Sequence, residues 1–336
     1  MNELWSNGRD MPLFLAPMAG ITDWVFRLLC EEQGADIATT EMISAQGLVT
    51  ARRANNTYRV LSRRAPFEKP LLVQLFGADP YWIGEAARAV SAAGRFAGID
   101  LNMGCPARKV TGSGSGSALM RDERLAGRII HAAVAAGGLP VSVKMRLGWD
   151  EEHENAVTLA RIAESEGASF VTVHGRTTVQ QYSGQADWEK IALVRRAVSI
   201  PVVANGDIAG GESARGALRA TGCAGLAVGR AALGDPWVFS RIRAGLQGQD
   251  IAAPTLSERL QMARRHAYLM RISRDERTAL LEMRKFFAWY IKGVPGAASV
   301  RARITTAGSF EQVDECLREL EEGQTPKPQA GFDQKQ

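Results

Sequence analysis

A chain of 336 residues that is 46% hydrophobic and 23% charged can build one large barrel or two ordinary domains, which sets aside a disordered or fibrous protein. No apolar run approaches the roughly 20 residues of a membrane helix, no cationic start leads into a long apolar stretch, and the four cysteines, Cys30, Cys105, Cys223 and Cys316, form no Cys-x-x-Cys pair of the kind that makes a redox dithiol or a zinc site. A cytoplasmic protein with free thiols and no metal is expected, and a net charge of +5 is by itself weak evidence for a polyanionic partner.

Eight short apolar runs with strand character follow one another at 13–17, 36–41, 71–76, 98–102, 141–146, 170–174, 202–205 and 225–229. The segments between them carry helical spacing, as in Val25, Leu28 and Leu29 after Asp23, or Leu125, Ile129, Ile130 and Ala133 after Asp122. Near-continuous apolar strands alternating with helices predict a parallel sheet, and eight such units suit a closed (β/α)8 TIM barrel over residues 1–245. An open doubly wound sheet is the competing architecture. Past residues 245–254 the strand signal stops, and 255–322 reads as a small all-helical domain. The polar stretch 323–336 is expected to be disordered.

Side chains alternate along a strand, so one parity of 141–146 is Ser142, Lys144 and Arg146. The same bookkeeping pairs Gln74 with Leu72, Asn102 with Asp100, His174 with Thr172 and Arg176, and Asn205 with Val203. Each polar group falls near the C-terminal end of its strand, the end at which barrel active sites form. Singly, each would be read as a satisfied structural group; gathered at one end, they predict a site. Glycines in Asn205-Gly206-Asp207 and Gly229-Arg230 let backbone N–H groups approach an anion, so strands seven and eight are expected to form a phosphate site.

The run Gly112-Ser-Gly114-Ser-Gly116-Ser117 lacks the third glycine of a dinucleotide fingerprint and no strand immediately precedes it. It predicts instead a mobile loop after the fourth strand, with Cys105, pinned by Pro106, at its base. Cys30, Cys223 and Cys316 read as buried inert thiols. Cys105 stands apart because it lies at the functional rim beside Asn102, and an ordinary thiol there could donate a proton or, deprotonated, attack. The residues alone leave both roles open.

Charge is unevenly spread. Residues 259–303 hold eleven Lys or Arg against three acids, whereas from Ile304 onward there are three basic and seven acidic residues. A second basic cluster is Arg52, Arg53, Arg59, Arg63 and Arg64. Solvated helix faces and a phosphate-backbone surface are the two readings.

Taken together, Ala16-Pro-Met-Ala-Gly-Ile-Thr-Asp23, Thr40-Glu-Met42, Asp100-Leu-Asn-Met-Gly-Cys-Pro106, Ser142-Val-Lys-Met-Arg146, Val173-His-Gly-Arg-Thr177, Ala204-Asn-Gly-Asp-Ile208 and Val228-Gly-Arg-Ala231 resemble the bacterial tRNA-dihydrouridine synthases, in particular the B-type branch. Arg284-Lys-Phe-Phe-Ala-Trp-Tyr290 is similar to the helical domain of that family. The resemblance implies FMN-dependent reduction of the uracil 5,6 double bond in tRNA, with NADPH as electron source. It implies that Pro17, Met18 and Ala19 line the flavin, that Gln74 and Lys144 bond its polar edge, and that His174, Asn205, Gly206, Asp207, Gly229 and Arg230 take its ribityl phosphate. Cys105 would be the proton donor and Asn102 would orient the uracil. Arg146 and Arg176 would hold the base or a nearby phosphate, and both basic clusters, including Arg284 and Lys285, would meet the tRNA. Competing functions are a flavin barrel acting on a free pyrimidine (dihydroorotate or dihydropyrimidine dehydrogenase-like), a Schiff-base aldolase using Lys144, and a non-catalytic RNA-binding module.

Overall fold

The computed structural model describes residues 11–50 and 70–323; the basic cluster Arg52 to Arg64 and the polar tail lie outside them. The described residues divide into two compact units. One runs to residue 252 apart from 233–235, and the other comprises 233–235 with the residues from 253 onward.

The first unit holds nine strands: β1 Leu13–Leu15, β2 Ile37–Thr39, β3 Ile43–Ser44, β4 Leu71–Phe76, β5 Gly98–Met103, β6 Val141–Met145, β7 Phe170–His174, β8 Val202–Asn205 and β9 Gly225–Val228. They hydrogen-bond in the order β2-β1-β9-β8-β7-β6-β5-β4-β3, and every pairing is parallel. A further pairing, Ala38 with Leu71 and Thr39 with Leu72, joins β2 to β4 and closes the eight-stranded barrel. The predicted second strand, 36–41, is realised only as β2, and the two-residue β3 follows beyond a split at residues 40–42. At the split the Thr40 hydroxyl accepts the Gln74 N–H at 3.1 Å, so a side chain takes a donor that a continuing strand would have used.

Aspartates start many of the helices between strands. Asp23, Asp79, Asp122 and Asp187 accept the first-turn N–H groups of helices Trp24–Glu32, Pro80–Ala92, Glu123–Ala135 and Trp188–Ala197, satisfying donors that a helix leaves unpaired. Inside the barrel, Phe14, Ala16, Ile37, Leu72, Phe170, Val203 and Ala227 form an apolar floor. Its strand residues share the parity of Gln74, Thr172, His174 and Asn205, so a polar layer lies directly above it, toward the C-terminal strand ends.

The second unit is helical: Leu256–Ser273, Glu276–Tyr290, Ala297–Thr306 and Phe310–Glu322. Thr255 and Glu258 cap the first helix reciprocally. Buried Met270, Met283, Phe286, Phe287, Ile304, Val313 and Leu317 form its core. Gly234, at φ +71°, belongs here because a Cβ would stand 2.4 Å from the Trp289 carbonyl carbon. Among the described residues, no helix is long and apolar enough to cross a membrane.

Candidate active site

The site is a hydrogen-bonded layer across the C-terminal ends of the strands. Asp100 on β5 accepts from Ser142 Oγ at 2.7 Å and from Gln74 Nε2 at 2.7 Å. Gln74 Oε1 accepts from Asn102 Nδ2 at 2.9 Å, and Asn102 Oδ1 accepts the backbone N–H groups of Cys105 at 2.9 Å and Gly104 at 3.2 Å. The loop bearing Cys105 is therefore held from below by Asn102. Arg146 holds it from the side through Nε to the Gly104 carbonyl at 2.8 Å. Asn102 keeps one amide hydrogen on the Met42 sulfur at 3.6 Å, a weak acceptor that a ligand carbonyl could replace.

Of the four cysteines, Cys30, Cys223 and Cys316 are buried and Cys105 is partly exposed, which separates them as the sequence reading did. The glycine-serine run is not an open loop. It follows a single helical turn at Arg108–Thr111 and leads into a 3-10 helix at Gly116–Arg121, with Ser115 and Ser117 buried. The Ser117 N–H and hydroxyl both bond the Cys105 carbonyl, at 3.1 and 3.0 Å. Gly116, at φ +61°, allows this approach, since a Cβ there would stand 2.8 Å from that carbonyl oxygen.

Cations collect around the mouth. Lys144 Nζ donates to Asn205 Oδ1 at 3.1 Å, while Asn205 Nδ2 is anchored on the Ala227 carbonyl at 2.8 Å. Burial, then the Arg146 charge, lowers the lysine pKa to about 8, although Asp100 and Cys105 pull the other way. Burial likewise raises the Asp100 carboxyl to about 6 against its bonds from Ser142 and Gln74. His174 is pushed down to about 2, first by burial and then by Lys144, Arg146, Arg176 and Arg230, so it is neutral at any working pH.

Asp207 sits at φ +56° after β8, next to Gly206 at φ +116°, where a Cβ would stand 2.7 Å from Ala186. This tight corner aims the carboxylate at Arg176 Nη2 and the Ala186 N–H, each at 2.7 Å, and at Arg230 Nη2 at 3.5 Å. Burial works to raise the Asp207 pKa, but those bonds and charges outweigh it and hold the group below the usual carboxylate range. Across the mouth, Met18 is fixed in a turn whose carbonyl accepts from Ile21 and Thr22. Gly229 lies beside it, its Cβ direction 3.9 Å from the Met18 sulfur.

The structure thus gathers Pro17, Met18, Ala19, Gln74, Asn102, Cys105, Lys144, Arg146, His174, Asn205, Gly206, Asp207, Gly229 and Arg230 around one end of the barrel. Two arginines are placed differently from expectation. Arg176 gives Nε to the Ser183 carbonyl, Nη2 to Gly184 and Asp207, and Nη1 to His174 Nε2; it is a strut for the corner rather than a free hand for a base. Arg284 donates to the Ala307 carbonyl at 2.8 Å, tying two helices of the helical unit together. Lys285 lies against the Phe286 ring. The positive excess of residues 259–303 is also reduced in three dimensions, because Arg264 and Arg303 pair with Asp314 and Glu319 on the acidic helix Phe310–Glu322. A cavity of about 310 Å³ in this unit is bordered by Arg264, Arg271 and Arg318, each paired with a carboxylate.

Sequence reasoning missed Tyr182. This exposed ring lies under two cations, 4.5 Å from Arg230 and 5.7 Å from Arg146. Its only sequence signal was an aromatic in a polar loop eight residues after His174.

Fold and site together define a (β/α)8-barrel enzyme with a thiol and a cluster of cations at the catalytic end of the strands. Comparison with known proteins specifies the family. The family model described as dihydrouridine synthase matches residues 14–324. The chain is 42% identical to a probable tRNA-dihydrouridine synthase of Rickettsia conorii over 92% of each chain. It is 41% identical to tRNA-dihydrouridine synthase B of Pseudomonas putida, covering 87% of this chain and 86% of the relative. A solved histamine dehydrogenase from Rhizobium sp. 4-9 shares the barrel, with a TM-score of 0.55 at 14% identity over 72% of this chain and 48% of the other, a likeness of fold alone. The chain belongs to the dihydrouridine synthase family of oxidoreductases, which is flavin-dependent in general. Membership in an oxidoreductase family sets aside the aldolase and the non-catalytic module.

Proposed function

We propose that this protein reduces the 5,6 double bond of uridine in tRNA, holding FMN in the barrel of residues 1–245 and using NADPH as electron source and Cys105 as proton donor. The observation that carries the reading is the Cys105 loop, fixed by Asn102, Arg146 and Ser117 beside a cluster of cations. The residues present fit a flavin mononucleotide. Lys144 is a desolvated ammonium whose charge an anionic flavin edge would balance. Gln74 has a second amide hydrogen for the same edge. Gly206, Gly229 and Arg230 offer backbone and charge to a phosphate, with Asp207 orienting Arg230 rather than touching the anion. When bound, the flavin would supply a hydride to C6 of the uracil.

The C4 carbonyl polarises the uracil double bond, so the accompanying proton goes to C5. Cys105 gives it up as a general acid. Arg146 makes no hydrogen bond through Nη2 among the described residues, leaving that nitrogen for the base, and Asn102 exchanges its contact with Met42 for a uracil carbonyl. The relatives' names support tRNA over a free pyrimidine. A uridine must leave its stack to enter, at a cost of a few kcal/mol, and cations such as Arg277, Lys292 and Arg301, which make no ion pair among the described residues of the helical domain 255–322, offset that cost by meeting phosphates.

The test is Cys105→Ala, assayed by nucleoside mass spectrometry of tRNA. FMN and tRNA binding should persist while dihydrouridine formation falls by about 10²- to 10⁴-fold, the usual weight of a general acid. Full activity in that variant would overturn the assignment.

A further inference from the structure

The mechanism above makes no use of Asp100, a buried carboxylate beneath the site. We propose that Asp100 is a positioning residue that sets the orientation of two side-chain amides, Gln74 and Asn102, and through them the place of Cys105. This rests on the proposed role of Cys105, but its physical content is separable from that role.

The argument is one of hydrogen-bond polarity. An ionised carboxylate accepts only, so Gln74 must turn its nitrogen toward Asp100, as it does at 2.7 Å. Its oxygen is thereby presented to Asn102, which must answer with its own nitrogen, at 2.9 Å. That leaves Asn102 Oδ1 facing the two backbone N–H groups at 104 and 105, the only orientation in which they are satisfied. Reversing any link places donor against donor. Ser142 Oγ, at 2.7 Å, fixes the other oxygen of Asp100 and also lies 3.4 Å from the Ile99 carbonyl.

A carboxylate in this place is costly. Burial raises its pKa to about 6 despite two hydrogen bonds and the Lys144 charge, and an apolar residue would pack there without that penalty. An acceptor oxygen facing Gln74 Nε2 is what the chain of amides requires. The relay spans β4, β5 and β6 through adjacent register positions, Gln74 opposite Asp100 and Asp100 opposite Ser142, so it is built into the barrel rather than into a loop.

The test compares Asp100→Leu and Asp100→Asn in the flavin-loaded protein. Asparagine can still offer its oxygen to Gln74 while its nitrogen donates to the Ser142 hydroxyl, whose proton turns to Ile99. In Asp100→Leu, amide hydrogen exchange in a peptide covering 103–106 should rise on the order of 10-fold, the weight of one hydrogen bond, and kcat should fall by up to about 100-fold for a misplaced group with the KM for tRNA unchanged. Asp100→Asn should restore both toward wild type. Unaltered exchange at 103–106 in a folded Asp100→Leu protein would overturn the proposal, as would an Asp100→Asn protein no better than leucine. If Asp100→Leu does not fold, Asp100→Leu/Ser142→Ala leaves no orphaned hydroxyl and takes its place. In the unaltered protein, a neutron map must show the Gln74 nitrogen toward Asp100 and the Asn102 nitrogen toward Gln74; either amide reversed refutes the relay. Exchange and nuclear density do not depend on Cys105 chemistry, so full activity in Cys105→Ala would sink the proposed function and leave this result standing.

Discussion

Lys144→Met should separate stability from function. In the ligand-free protein, burial and the Arg146 charge bring the Lys144 pKa from 10.5 to about 8. At about 1.4 kcal/mol per pKa unit, the fold disfavours the ammonium by about 3 kcal/mol, and the part of the side chain that remains open at the mouth makes this an upper bound. Methionine removes that penalty but takes the donor from Asn205 Oδ1, a loss of about 1–3 kcal/mol. The flavin-free variant should therefore melt at the wild-type temperature or up to about 4 °C higher, while its FMN dissociation constant rises about 10- to 100-fold for the lost charge-assisted bond. The pH dependence has a definite sign. Between pH 8 and 10.5 the folded lysine has released its proton and the unfolded chain still binds one, so wild-type stability rises relative to the variant across that window; above it the pH dependence ends, and the wild type keeps the advantage of its Asn205 bond. Calorimetry of the flavin-free proteins and FMN titration by fluorescence measure both effects. A variant several degrees less stable at pH 7, or one with unaltered FMN affinity, would refute the reasoning.

Other outcomes follow from single contacts. Gly116→Ala forces a positive φ on a residue with a Cβ and drives that carbon against the Cys105 carbonyl and Val110; stability should fall by more than about 1 kcal/mol, and turnover should fall with it. Arg284→Ala should lower the melting temperature of the helical unit through the lost Ala307 bond and leave the salt dependence of tRNA binding nearly unchanged. Lys292→Glu should do the reverse, weakening binding and reducing the slope of log K against log salt by roughly 1. His174, held neutral by burial and four nearby cations, should keep the NMR signature of an uncharged imidazole down to pH 4; a transition near pH 6 would contradict the cation cluster.

The folded structure also changes the meaning of two sequence signals. Eleven cations in 259–303 count as a strong patch only while the acidic helix that follows is ignored. Arg264 and Arg303 pair with it, and residues far apart in sequence cancel once packed. The GSGSGS run implies freedom, yet Ser115 and Ser117 are buried and Ser117 bonds the Cys105 carbonyl, because glycines also permit close approach.

Sequence by itself determined the barrel, the strand end at which the polar groups gather, and which of the four cysteines lies at that rim rather than in the core. Strand periodicity fixes which side chains share a face, and all eight predicted strands reappear with Gln74, Asn102, Lys144, His174 and Asn205 at the same end. Only tertiary structure decided which partners those groups take: that Gln74 bonds Asp100 and Asn102 bonds Gln74 beneath Cys105, that Arg176 and Arg284 bond neighbouring backbone carbonyls, and that Tyr182 lies under Arg146 and Arg230. Periodicity is a property of the local backbone, whereas a hydrogen-bond partner is chosen by the register between strands and the path of loops, which no local stretch of sequence encodes.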